Sequence, residues 1–396
     1  MLFSLATVAT SLLGAASAIS VPRGDGYSQS AIDSGRALAE LNSFAALKSA
    51  QNFKGTCTAK NVKVRREWRT LTKPQRKNYI DAVKCLRSKP SLFGDAAPGG
   101  VASIFDDFIY VHFTQTMTIH NTGNFLTWHR YFMHAYENQL KACGFTGVLP
   151  YWEWGLDVNS PRDSPVFDGS ATSLGGDGEY IPGHEGLWIT QAGGTEMIKF
   201  PPGTGGGCVT TGPFGNLTIR MGGYAVAVPG STDVVYFEDP TADNTRCLKR
   251  DLNPHIAKNF TSFRNTTELI LKHNEIGMFQ ADFEGDGRYP GTSFLGCHGG
   301  GHFTIGGDPG SDAFISPGDP AFYVHHTQVD RVFWIWQMQD FANRQKVHGT
   351  NFFLDLYPSA NTTVDDVIDI SPLAAPTTIK NMMNTVGGGP LCYIYA

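Results

Sequence analysis

After its first eighteen positions the chain has no run of about 18 apolar residues, so nothing further along it reads as a membrane span. Charge is scarce as well: 17% of residues are charged, and 31 basic side chains face 36 acidic ones. A net charge of −5 offers no electrostatic footprint for nucleic acid, whose binding rests on clustered Lys and Arg. No two cysteines have Cys-x-x-Cys spacing, so zinc knuckles and thioredoxin-like redox motifs drop out. No repeat of about 20–50 residues and no low-complexity linker breaks the chain, so no domain boundary shows. Hydrophobic residues, in contrast, make up 41% and aromatics 12%, too many for a disordered chain.

The N-terminus indicates the compartment. Met1 to Ala18 is small and apolar, and Ala16-Ser17-Ala18 fits a signal-peptide cleavage site, placing the cut after Ala18. Residues 19–396 then form a single mature domain that is secreted and extracellular. Four acceptor sequons, at Asn216, Asn259, Asn265 and Asn361, agree with a glycoprotein. There are 7 cysteines, an odd number, so in an oxidising compartment at least one stays unpaired. Cys297, beside a candidate ligand, is the odd one, and a Cys208–Cys247 bridge would clip a Gly-rich excursion.

Apolar spacing of three and four predicts helices over 33–51, 72–87, 101–118, 125–142, 262–280, 294–303 and 319–343. Between about 155 and 250 the pattern dissolves into Gly, Pro, Asp and Thr, which reads as long loops with short strands. The expected fold is mainly α, a four-helix core dressed with long loops.

Histidine carries the functional signal. Of 12 histidines, seven fall in two windows: His112, His120 and His129, then His298, His302, His325 and His326. His184, His255, His273 and His348 stand alone and read as ordinary surface or core residues. His298 and His302 share one helix face, yet the three residues between them are glycines, each costing about 1 kcal/mol of helix propensity relative to Ala. Metal coordination supplies the missing order, or the glycines let another backbone or a substrate approach closely. His326 is the better third ligand of its pair, because Asp330 lies one turn on, where it would accept the free ring N–H. His325 then stands behind it. Imidazoles without thiolate or carboxylate suit copper, zinc, iron or nickel, not calcium or magnesium. Two trios from paired helices imply two metals facing each other across the core.

These windows resemble the type-3 copper proteins: tyrosinases, catechol oxidases and molluscan-type haemocyanins. The resemblance covers roughly residues 100–155 and 290–340 closely. His120-x8-His129, with Phe125 and Trp128-His129-Arg130, is similar to the family's first copper motif. Pro150-Tyr-Trp-Glu-Trp154 is similar to its Pro-Tyr-Trp-Asp-Trp segment, with Glu153 replacing Asp. His298-x3-His302 and Asp319-Pro-x-Phe322-x-x-His325-His326-x-x-Val-Asp330-Arg331 resemble the second copper motif. The overall character is most like the short secreted fungal catechol oxidases.

The resemblance implies two copper ions, held by His112, His120 and His129 and by His298, His302 and His326, with O2 and small phenols as partners. Phe125 and Phe322 are expected to wall the metals, and Gly299, Phe303, Ala313 and Phe322 to meet substrate. In efficient tyrosinases an Asn beside the first ligand of the second trio and an upstream Glu hold a deprotonating water. Here the neighbour is Gly299, and the upstream position falls on Tyr289 with Glu284 nearby. Phe303 is apolar, and Ala313 is small enough to leave the pocket mouth open. These departures favour diphenol oxidation over hydroxylation. Thr118 stands where many fungal relatives have a cysteine thioether-linked to the middle ligand, so no crosslink is expected. The chain ends soon after His326, which leaves no room for a C-terminal lid domain. An o-aminophenol oxidase, a full tyrosinase, a dioxygen carrier and a binuclear zinc hydrolase are the rival readings, in falling order.

Overall fold

Capping side chains set the helix ends. In this computed structural model, which describes residues 26–396, α1 spans Arg36–Ala50 and α2 Lys73–Ser88. The expected signal segment and its cleavage site lie outside the described residues. Thr72 and Gln75 close a capping box on α2, with Pro74 in its first turn. Ser103 and Asp106 form a second box on α3, Ile104–Ile119, and α4 follows over Phe125–Ala142. Then come α5 (Pro254–Phe260), α6 (Phe263–Lys272), α7 (Ile276–Glu284), α8 (Gly296–Ile305) and α9 (Ala321–Gln339).

Three boundaries depart from the periodicity. The helical span expected over 33–51 breaks at Gly35, whose φ of 77° leaves the helical region. The span over 262–280 is two helices. Between them the His273 carbonyl accepts the Trp336 indole N–H at 2.7 Å, and the His273 ring meets Asp282 at 2.7 Å. Helix α5 was not expected, although its start signal is present. Asn253 accepts the N–H groups of His255 and Ile256, and Pro254 opens the helix.

The molecule is mainly helical, as expected. Helices α3 and α4 pack together, α4 against α9, and α8 against α9, so the two histidine windows face one another. Helix α9 is buried from Ala321 to Met338, polar residues included. Buried charges must be paired. Asp330 accepts hydrogen bonds from Arg65 at 3.1 Å, Arg130 at 2.5 Å and the Tyr393 hydroxyl at 2.6 Å, and also from the Tyr395 hydroxyl. Burial alone would raise the Asp330 carboxyl, but the two guanidinium charges outweigh it and hold it below its ordinary range. Arg331 pairs with Glu153 at 2.6 Å, which ties the Trp152–Trp154 segment to α9. Strand β1 (Lys63–Arg65) runs parallel to β2 (Tyr393–Tyr395), bringing the C-terminal Tyr-x-Tyr to this ion cluster.

The loop region carries short antiparallel pairs, among them 178–180 with 206–209 and 188–190 with 197–199. Three disulfides staple the fold: Cys57–Cys392, Cys85–Cys143 and the expected Cys208–Cys247. Cys297 is free and buried, also as expected. Asn216, Asn259 and Asn361 are exposed, whereas the Asn265 side chain is engaged in the capping box of α6. Among the described residues no helix is long and apolar enough to cross a membrane.

Candidate metal centre

His112 projects from α3, His120 caps its C-terminus and His129 lies in the second turn of α4. Each ring is oriented by one backbone carbonyl. Nδ1 of His112 donates to Phe314 O at 2.9 Å, that of His120 to Thr116 O at 3.1 Å and that of His129 to Phe125 O at 2.8 Å. A donating Nδ1 fixes the tautomer and leaves the Nε2 lone pair free. Nε2 of His112 and of His129 is buried without any partner. The three potential ligand atoms lie within 4.8 Å of one another. Burial first, and then neighbouring imidazoles, holds His112 and His129 well below the ordinary 6.5. Burial lowers His120 to about 4. All three are neutral donors at physiological pH.

The facing cluster comprises His298 and His302 on α8 and His325 and His326 on α9, again with one atom of each within 4.8 Å of the others. His302 Nδ1 points at Gly310 O, 3.3 Å away, and its Nε2 stands 3.1 Å from His326 Nε2. His298 Nε2 is buried without a partner. His326 stacks on Phe322 at 4.1 Å and on His129 at 4.5 Å, so its ring bridges the two clusters. His325 is fully buried against Trp154, and neither of its ring nitrogens has a partner. Burial lowers His302 to about 3 and holds His298, His325 and His326 well below 6.5.

One expectation is corrected here, and one of two open readings gains support. Asp330 does not accept from His326, whose Nδ1 has no partner. The helical side chain leans toward the N-terminus and over Phe322, while Asp330 is held by Arg65, Arg130 and the two tyrosines. The glycine run also has a partly structural explanation. A Cβ at Gly300 would meet Phe260 Cβ at 2.4 Å, and one at Gly301 would meet His325 Cε1 at 2.1 Å. Only Gly299 has room, its nearest neighbour being Leu295 Cβ at 3.6 Å.

A cavity of about 240 Å³ opens over the histidines, and His120, His298 and His302 lie in its floor. Gly299, Phe303 and Ala313 line it. Phe322 does not. It is 1% exposed beneath His326, and so acts as a wall behind the site, like Phe125 at 4.7 Å from His298. Glu284 lines the cavity and accepts the Asn121 N–H at 2.7 Å; burial raises its carboxyl well above 4.5. Tyr289, where the family register pointed, is not in the cavity lining. The nearby Glu284, at the end of α7, does line it. Asn121 was missed altogether. It lines the cavity in a left-handed conformation, φ 47°, and its carboxamide Nδ2 has no partner. An Asn just after a ligand-type histidine is a residue that tolerates such a backbone, and that was its one signal. Thr118 is exposed and bonds Gln115 O.

Buried neutral imidazoles with free lone pairs, gathered in two groups without a carboxylate, suit a pair of transition-metal ions. Residues 102–339 match the family model described as the common central domain of tyrosinase. The chain belongs to the tyrosinase family. It is 36% identical over 340 residues to tyrosinase P of Aspergillus terreus, spanning 84% of this chain and 91% of that one. It is 35% identical over 353 residues to an N-acetyl-6-hydroxytryptophan oxidase of Emericella nidulans, spanning 86% and 93% respectively. A point mutant of a polyphenol oxidase from Thermothelomyces thermophila has a solved structure that superposes with a TM-score of 0.83 at 38% identity, covering 91% of this chain and 97% of the other. Family membership makes the protein a copper oxidoreductase with a type-3 binuclear centre, and the two histidine clusters are compatible with that centre.

Proposed function

We propose that this tyrosinase-family oxidase is a secreted polyphenol oxidase that converts o-diphenols to o-quinones, two diphenols per O2 reduced to water, and hydroxylates monophenols weakly. His112, His120 and His129 hold one copper; His298, His302 and His326 hold the other. The carbonyls behind Nδ1 orient four of the six family-type ligand rings, those of His112, His120, His129 and His302, and the Phe125 and Phe322 walls exclude water. The copper pair, when bound, supplies the two-electron chemistry between O2 and phenol.

The chain's own residues decide which phenols react well. The ring enters beside Gly299, between Phe303 and Ala313, and can stack on a cavity-floor imidazole. One oxygen of Glu284 is held by the Asn121 N–H, and the other is the group that takes a phenol proton. The observation that carries the preference for diphenols is Gly299. It offers no side-chain amide to position a water against Glu284, and a monophenol, with its single and weaker acid, depends on that water more than a catechol does. Asn121 also lines the cavity with an unpartnered carboxamide nitrogen, which would support the weak hydroxylation.

Copper-matured protein should contain two coppers per chain and consume O2 with 4-tert-butylcatechol. One metal per chain, a predominance of zinc or no uptake with any catechol would refute the reading. Faster turnover of o-aminophenol than of catechol would shift it to an aminophenol oxidase.

A further inference from the structure

A second cavity, of about 380 Å³, lies beside the first between segments 181–187, 226–229, 246–251 and 307–311. Ser311 lines both. The partition is the loop after α8, whose Gly310 carbonyl faces His302 Nδ1 at 3.3 Å, so the second cavity adjoins the metal centre. Its walls are mostly apolar, with Ile181, Leu187, Val226, Val228, Pro229 and Phe237. The exposed rings of Tyr180 and Tyr236 flank two of these residues in sequence, extending the apolar surface outward.

The charged groups around this cavity are satisfied with one exception. Asp251 receives His184 at 3.2 Å and the N–H groups of Gly203 and Gly205. Asp308 is held by Arg246 through two hydrogen bonds, 2.5 and 2.7 Å. Lys249 lines the cavity, is exposed, and makes no ion pair among the described residues. An apolar hollow next to a reaction site, with a single uncommitted cation at its edge, fits an apolar group that ends in an anion.

We propose that this cavity is a substrate annexe. It takes the apolar substituent of a phenol whose far end is a carboxylate, with Lys249 as the reader of that charge and the phenol ring in the adjoining metal-site cavity. The inference rests on the phenol-oxidase reading above, and it makes the natural substrate a tailed phenolic acid and not a small phenol.

The test is a series of ω-(3,4-dihydroxyphenyl)alkanoic acids and their methyl esters, assayed with the copper-loaded enzyme. kcat/KM for the acids should rise to an optimum with chain length, through KM and not kcat. The acid-to-ester ratio of kcat/KM should fall about fivefold in Lys249→Gln, the scale of one partly exposed charge contact. Val228→Trp, which fills the cavity, should raise KM for the long homologues relative to catechol. 6-Phenylhexanoate has no hydroxyl to oxidise, and its calorimetric affinity for the copper-loaded protein should also weaken about fivefold in Lys249→Gln. Either quantity unchanged in Lys249→Gln overturns the proposal. A protein that oxidises no catechol yet binds 6-phenylhexanoate through Lys249 would refute the oxidase reading and leave the annexe standing.

Discussion

The ring of His325 lies directly on the backbone of Gly301, where a Cβ would fall 2.1 Å from its Cε1. Gly301 is therefore the point at which α8 and α9 come close enough to build one site. Gly301→Ala has to push a fully buried ring, and overpacking of this kind costs about 1–3 kcal/mol. Gly299→Ala meets only Leu295 Cβ at 3.6 Å, and it gains about 1 kcal/mol of helix propensity. Gly301→Ala should therefore unfold at a lower temperature and hold less copper, while Gly299→Ala is at least as stable as the parent. Equal behaviour of the two variants would contradict the packing account.

His325 and His326 also separate by substitution. His326 Nε2 points at His302 Nε2 from 3.1 Å, whereas His325 sits behind, against Trp154. His326→Ala should lose one copper and all catechol oxidation, while His325→Ala retains measurable copper. The reverse pattern in elemental analysis would exchange their roles.

Most of the site was legible in the sequence because it is local. His298-x3-His302 needs only the helical period, and the capping boxes at Thr72 and Ser103 mark helix starts with their own side chains. What was misread depends on partners far along the chain. An i, i+4 rule placed Asp330 under His326, but Arg65 and the tyrosines of β2 reach Asp330 from opposite ends of the sequence. Register counting placed the upstream position at Tyr289 with Glu284 nearby, and of the two it is Glu284 that lines the cavity. Phe322 counted as a substrate contact because it shares a helix face with His326, while the structure puts that face inside the core.

The copper-free protein should lose stability as the pH falls. Unfolded histidines titrate near 6.5, whereas burial lowers His120 to about 4 and His302 to about 3 in the fold. Below 6.5 the unfolded chain therefore takes up protons that the folded chain refuses. Stability present at pH 7 declines through this window, by about 2 kcal/mol per group at pH 5. Carboxyls raised by burial, Glu284 and Glu67 (to about 7) among them, act in the opposite sense and are set against the whole group of lowered histidines. Chelator-treated protein should have a lower Tm at pH 5 than at pH 7, and an equal or higher Tm would contradict the buried neutral imidazoles.

The ligand histidine of the first cluster should be chemically unmodified. Thr118 stands two residues before His120, and the cysteines among the described residues are three disulfides and the buried Cys297. Peptide mass analysis should find a plain imidazole at His120 and one alkylatable thiol after denaturation. A thioether at His120 would contradict this.

Replacing Gly299 by Asn supplies the missing amide on the cavity wall, within reach of the same water that Glu284 would hold. The ratio of monophenol to diphenol rates should rise in Gly299→Asn and fall back when Glu284→Gln is added. A rise that survives Glu284→Gln would assign the proton to another group.

The measurement that bears most directly on the whole account is the rate of the wild-type, copper-loaded enzyme on tyrosol against its rate on 4-tert-butylcatechol, read in one preparation by oxygen uptake. One missing hydrogen bond to the deprotonating water corresponds to roughly ten- to a hundredfold in rate. The account predicts that the catechol is oxidised faster by about that factor. Equal rates on the two substrates would contradict it.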